Sequence, residues 1–121
     1  MNSAHKPRIY ISGPISGVED FRSPFVELSQ ILEEYSCIPL NPCVLPEGLT
    51  QKEYMQICIS MLNISNMAVF LPGWECSEGA KLEHAYCKKC GLPITYLESD
   101  EDLDSMRKTL EILYDVMEVL Q

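Results

Sequence analysis

Along the chain, short β-branched and aromatic runs alternate with longer segments in which apolar residues return every three or four positions. Arg8–Ser12 (RIYIS) reads as a first strand that breaks at Gly13-Pro14. Ser23-Pro24 has the order of an N-cap followed by proline at the first helical position, and Phe25, Leu28, Leu32 and Tyr35 follow at helical spacing. Cys37–Leu40 is a short, proline-containing strand, which suits a sheet edge where a missing ladder donor does no harm. Thr50 to Glu53 forms a capping box, and Tyr54, Ile57, Met61 and Leu62 give the second helix its apolar stripe. Met67–Leu71 is continuously apolar, the pattern of a strand covered on both faces in a parallel sheet. A third helix is predicted over 78–90, capped by Ser77 and closed by Gly91. "PITYL" from Pro93 gives a fourth strand, and the acidic turn "ESDEDLD" leads to a last helix striped by Met106, Leu110, Leu113, Met117 and Leu120.

Strands and helices alternating at these lengths imply right-handed βαβ crossovers. The predicted fold is α/β, a small doubly wound parallel sheet of flavodoxin or Rossmann type, with four to five strands and helices on both faces. Residues 1–121 form a single domain, because 121 residues support one core and not two. Ligands of such sheets sit beyond the carboxyl ends of the strands, at the topological switch point. With a flavodoxin-like order, the loops 13–22 and 72–77 face each other across one crevice.

Charge narrows the ligand. A net charge of −9 and a pI near 4.5 argue against a nucleic-acid polymer, which binds clustered Lys and Arg. A small phosphorylated ligand remains open, since backbone amides and one or two basic side chains bind it locally. The amino terminus has no signal-peptide apolar region, and no apolar run approaches the ~18–20 residues that span a bilayer. A soluble cytoplasmic protein without a membrane partner is the expectation. The six cysteines lie in or beside core-like segments and read as reduced, buried thiols. Cys87 and Cys90 form a CxxC without the second ligand pair that a structural zinc needs, so no metal is expected.

The third helix carries the candidate chemistry. Gly79 and Ala80 precede Glu83 by four and three positions and share its face. They either leave space above the carboxylate or let the helix pack closely on the sheet. Ser77 caps the helix, and a helix amino terminus with a hydroxyl also suits a phosphate or carboxylate. His84 points about 100° from Glu83 and reads as a helix-surface or packing residue and not as a catalytic base. Trp74 stacks on a ligand ring or packs over the crevice.

"YISGPISG" at 10–17, "NMAVFLPGW" at 66–74 and "SEGAKLEHAYCKKCGLPI" at 77–94 resemble the nucleoside 2-deoxyribosyltransferase superfamily, most closely its small bacterial and phage members. The resemblance spans roughly residues 8–97. It implies cleavage or transfer at the N-glycosidic bond of a nucleoside or nucleoside 5′-monophosphate, with Glu83 as nucleophile and Tyr10 beside it. It implies a substrate held by Ser12, Gly13, Pro14, Ser16, Gly17 and Arg22 from the first loop, and by Asn66, Gly73, Trp74, Ser77 and Gly79. The polar residue at 77 is usually Asp in the transferases; the serine here is similar to the 5′-monophosphate N-glycosidases, in which it touches phosphate, and Arg22 or Ser16 would complete the anion site. Where the family has Asp before its third strand this chain has Asn66, which keeps hydrogen bonding and loses a charge. Glu75 and Glu78 are candidates to protonate the departing base. The resemblance also implies a homo-oligomer and no metal or organic cofactor. Two other readings stand beside it: a non-catalytic module that binds or senses a nucleotide-derived ligand, and a phosphoribohydrolase, since "LPG" before a helical Glu is similar to PGGxGTxxE. The "WECS" insertion and the missing GT count against the latter.

Overall fold

The structure is a computed structural model and describes residues 6–120. Its elements run β1 (Arg8–Ser12), α1 (Arg22–Glu34), β2 (Ile38–Leu40), α2 (Gln51–Asn63), β3 (Met67–Phe70), α3 (Glu78–Cys90), β4 (Ile94–Tyr96) and α4 (Asp100–Leu120), with single 3₁₀ turns at Pro42–Val44 and Trp74–Cys76. The four strands are all parallel, in the order β2-β1-β3-β4. Tyr10 is in register with Leu40 and Ala68, and Ser12 with Phe70.

Two central strands covered on both faces explain the sequence pattern. Ile9, Ile11, Val69 and Leu71 pack beneath α1 and α4 with Phe25, Leu28, Leu32, Met106 and Leu110. The alternate residues Tyr10, Ala68 and Phe70 pack with Cys58 and Leu62 of α2 and Cys87 of α3. Helices α2 and α3 therefore share one face, with their amino termini toward the carboxyl edge of the sheet.

Local chemistry sets most boundaries. Thr50 and Glu53 make both bonds of a capping box on α2, and Gly91 closes α3 at a left-handed φ of 71°. The start of α1 differs from expectation: Phe21 is the N-cap, with no side-chain cap bond, while the Ser23 hydroxyl donates to Asp20 (2.7 Å). The stripe of α2 departs from expectation at one position: Leu62 is buried and Met61 packs against the core as expected, whereas Ile57 is exposed and its neighbour Cys58 is buried. The acidic segment expected as a turn instead enters α4, which begins at Asp100. Asp102 accepts from the backbone of Glu98 and Ser99. Of the stripe expected on α4, Leu113, Met117 and Leu120 lie outside the described side chains. Of the six thiols, Cys37, Cys58 and Cys87 are buried, Cys43 is half-buried, and Cys76 and Cys90 are exposed.

Gly13 brings the two site-forming loops together. A Cβ there would stand 3.0 Å from Leu71 Cβ, tighter than all but a few side-chain contacts, so Leu71 would have to shift. Glycine thus lets the exit of β1 lie against the exit of β3, where Leu71 N–H also donates to Ser12 C=O (2.8 Å).

Candidate active site

Tyr10 and Ser12 are two positions apart on β1, so they point to the same face of the sheet. That face carries α3, and Glu83 comes down onto it from the second turn of the helix. The Tyr10 hydroxyl donates to Glu83 Oε2 at 2.6 Å, and the Ser12 hydroxyl donates to Oε1 at 2.6 Å. All three side chains are buried, Glu83 to 6% exposure. Each carboxylate oxygen thus has its own donor from one rigid strand.

Two opposed effects act on this carboxyl. Burial disfavours its charge, while the bonds from Ser12 and Tyr10 and the nearby Cys58 thiol favour it. Burial wins, and the Glu83 carboxyl is held above the usual carboxylate range. Burial, then the Glu83 charge, also push the Tyr10 phenol well above its ordinary value, so it stays a proton donor. Burial pushes the Cys58 thiol up to about 11.

Glu83 is also one wall of a cleft of about 980 Å³. The cleft is bounded by the first loop from Gly13 to Glu19, by Phe21 and Arg22, by the segment from Pro42 to Glu47, by α2 and by the first turns of α3. Gly79 faces α2 across it, where an added Cβ would lie 3.5 Å from the Gln51 amide nitrogen and 3.9 Å from Met55 sulfur. Ser77 caps α3 by accepting from Ala80 N–H (3.2 Å), and it lines the cleft as well.

The expected site residues divide by place. Gly13, Pro14, Ser16, Gly17, Arg22, Ser77, Gly79 and Glu83 line the cleft. Tyr10 and Ser12 lie beneath it, tied to Glu83. Asn66 belongs elsewhere: it precedes β3, at the amino edge of the sheet, where its side chain accepts from Arg8 N–H (2.8 Å). Gly73 turns at φ 85°, and neither it nor Trp74 lines the cleft. Trp74 stacks on His84 with ring centres 4.3 Å apart and meets Phe70 edge-on. His84 in turn bonds the Tyr96 hydroxyl (2.6 Å), so of its two expected roles, surface or packing, it has the packing one. Of the two candidate acids, Glu78 lines the cleft and pairs with Lys81 (2.9 Å). Glu75 does not line it.

The sequence reading missed the α2 side of the cleft: Gln51, Tyr54, Met55 and Cys58. The strand order was the available signal, because β1 and β3 at the centre put α2 and α3 on one face with their amino termini flanking one opening. Glu47 was missed too. Its carboxylate accepts from Arg22 at 3.0 Å.

Fold and site together define a doubly wound α/β domain with a hydrogen-bonded carboxyl at its switch point. The chain belongs to the family described as a domain of unknown function (DUF4406), which matches residues 7–96 and so spans β1 to β4. No curated protein and no solved structure matches it significantly. Among the described residues, no helix is long and apolar enough to cross a membrane.

Proposed function

We propose that the protein cleaves or transfers at the N-glycosidic bond of a nucleoside or nucleoside 5′-monophosphate, with Glu83 as nucleophile. The observation that carries this reading is a buried carboxylate whose two oxygens are each fixed by a donor from β1 and which also faces a ligand-sized cleft. Fixing both oxygens removes the rotational freedom that a nucleophile otherwise loses at the transition state. The resemblance of the β1, β3 and α3 motifs to the nucleoside 2-deoxyribosyltransferases supports the same assignment.

The chemistry proceeds in two displacements. An ionised Glu83 oxygen bonds to the anomeric carbon as the C–N bond breaks, and the bonding pair leaves with the base nitrogen. The departing base takes a proton, for which Glu78 is the acidic side chain of α3 at the cleft besides Glu83 itself. Water or a second base then attacks the same carbon and frees Glu83. Tyr10 and Ser12 hold the carboxylate in place and offset part of its burial.

A second reading is favoured by that burial. A carboxyl raised toward its neutral form can serve as a hydrogen-bonding group in a module that binds a nucleoside without cleaving it. Incubating the protein with the deoxynucleosides, ribonucleosides and their 5′-monophosphates, and measuring free base, separates the two. Released base supports the enzyme; tight binding without release supports the module.

A further inference from the structure

The cleft is acidic where a phosphate site would be basic. Glu19, Glu47, Glu78 and Glu83 line it, and among the described lining residues Arg22 is the one base. Arg22 already holds an anion: its Nη2 donates to Glu47 (3.0 Å), which reaches it from 25 positions further along the chain, so a ligand phosphate competes with that carboxylate. Both ends of this pair line the cleft, so it joins the start of α1 to the segment before α2 across the opening. On α3, Lys81 is paired with Glu78 (2.9 Å).

The start of α1 has no side-chain cap and no acidic residue in its first turn, but the Asp20 carboxylate just before it accepts from the Ser23 hydroxyl (2.7 Å) and adds a further negative charge at this helix end. The carboxylate of Glu47 is the anion that Arg22, the first residue of this helix, already holds.

Resting on the reading of the cleft as a nucleoside site, we propose that Glu47 is a specificity determinant: by occupying Arg22 it makes the cleft select unphosphorylated nucleosides over their 5′-monophosphates. A phosphate entering the cleft must displace Glu47 and then stand beside its free carboxylate, with Glu19 and Glu78 adding like charge. An uncharged sugar hydroxyl meets neither obstacle. Ser77, which lines the cleft, then faces a neutral ligand instead of a phosphate.

The pair is solvent-exposed, with 48% of the Arg22 and 82% of the Glu47 side chain accessible, and such pairs contribute little to stability. Its removal therefore leaves the fold intact and the comparison clean. The experiment is calorimetry at low ionic strength with the four deoxynucleosides, their 5′-monophosphates and inorganic phosphate. It uses wild type, Glu47→Gln, Glu19→Gln and the double variant Arg22→Gln/Glu47→Gln. Wild type should bind nucleosides at least as tightly as monophosphates. Glu47→Gln should tighten monophosphate and inorganic phosphate by about three- to fivefold, the scale of the exposed ion pair it no longer competes with, and leave nucleosides unchanged within error. The double variant should lose the gain, and Glu19→Gln should produce a clearly smaller one. A wild-type preference for monophosphates overturns the proposal, as does a gain that survives without Arg22 or is matched by Glu19→Gln. If no nucleoside binds any variant, the nucleoside reading fails while the inorganic-phosphate arm still decides. An Arg22-dependent gain there supports the masking of Arg22 by Glu47, and no gain overturns it.

Discussion

Ser12 and Glu83 lie 71 positions apart in the chain and meet at 2.6 Å, hydroxyl to Oε1, in the buried floor of the cleft. The bond favours the ionised carboxylate against the burial that opposes it. Ser12→Ala should therefore raise the titration midpoint of Glu83 further, and Ser12→Thr should restore it if the hydroxyl keeps its direction. Carboxyl-carbon NMR of Glu-labelled protein reads this directly. A midpoint that stays or falls in the alanine variant contradicts a positioning role for Ser12.

The same carboxyl makes stability depend on pH. Its folded value lies above the 4.5 of the free side chain, so the folded state binds the proton more tightly than the unfolded one. The stability this contributes is fully present below 4.5 and is lost as pH rises through the raised folded value. Glu83→Gln does not titrate. Its stability relative to wild type should therefore increase with pH across that window and level off above it, as urea midpoints measured from pH 4 to 8 would show. A difference that is flat over the range removes Glu83 as a buried titrating group.

Gly79 separates two uses of a small residue. A Cβ there meets only ordinary contacts with Gln51 and Met55, so Gly79→Ala should be tolerated and stabilise α3 by up to about 1 kcal/mol. Gly79→Leu should fill the space between α3 and α2 and weaken ligand binding at least about tenfold with the fold retained. Thermal melting and ligand titration on the two variants make the comparison. Destabilisation by alanine would mean that the glycine serves close packing, and unchanged binding by the leucine variant would place the ligand elsewhere.

What could be read from the sequence followed the range of the interactions. The bounds of α3 were legible because Ser77 and Gly91 act on their own helix ends, and the doubly covered strands β1 and β3 were legible because both alternate faces are apolar. The first turn of α1 was not, since Ser23 found a local partner in Asp20 and the helix began two residues before proline. In the α2 stripe Met61 and Leu62 were legible, but Cys58 is buried where Ile57 was expected; one residue is a 100° rotation, and it is Cys58 that reaches the cleft. Asn66 was placed at the site by its motif, yet it stands before β3, and only strand direction shows that this is the opposite edge of the sheet. Tyr10 and Glu83 were paired through a resemblance, not through spacing. The donor role of Ser12 required the register of β1 against α3, and the Arg22–Glu47 pair required the path of a loop that carries no periodic signal.

The most direct test of the nucleophile is the rate of base release by Glu83→Gln relative to wild type, on whichever nucleoside the wild type cleaves fastest. Glutamine keeps the size of the side chain and one oxygen to accept from Tyr10 or Ser12, but it has no carboxylate to bond the anomeric carbon. A nucleophilic Glu83 predicts that the variant folds, retains nucleoside affinity within a few-fold and loses at least about a hundredfold in rate. Release within a few-fold of wild type, or no release by the wild type from any nucleoside or monophosphate, would contradict it.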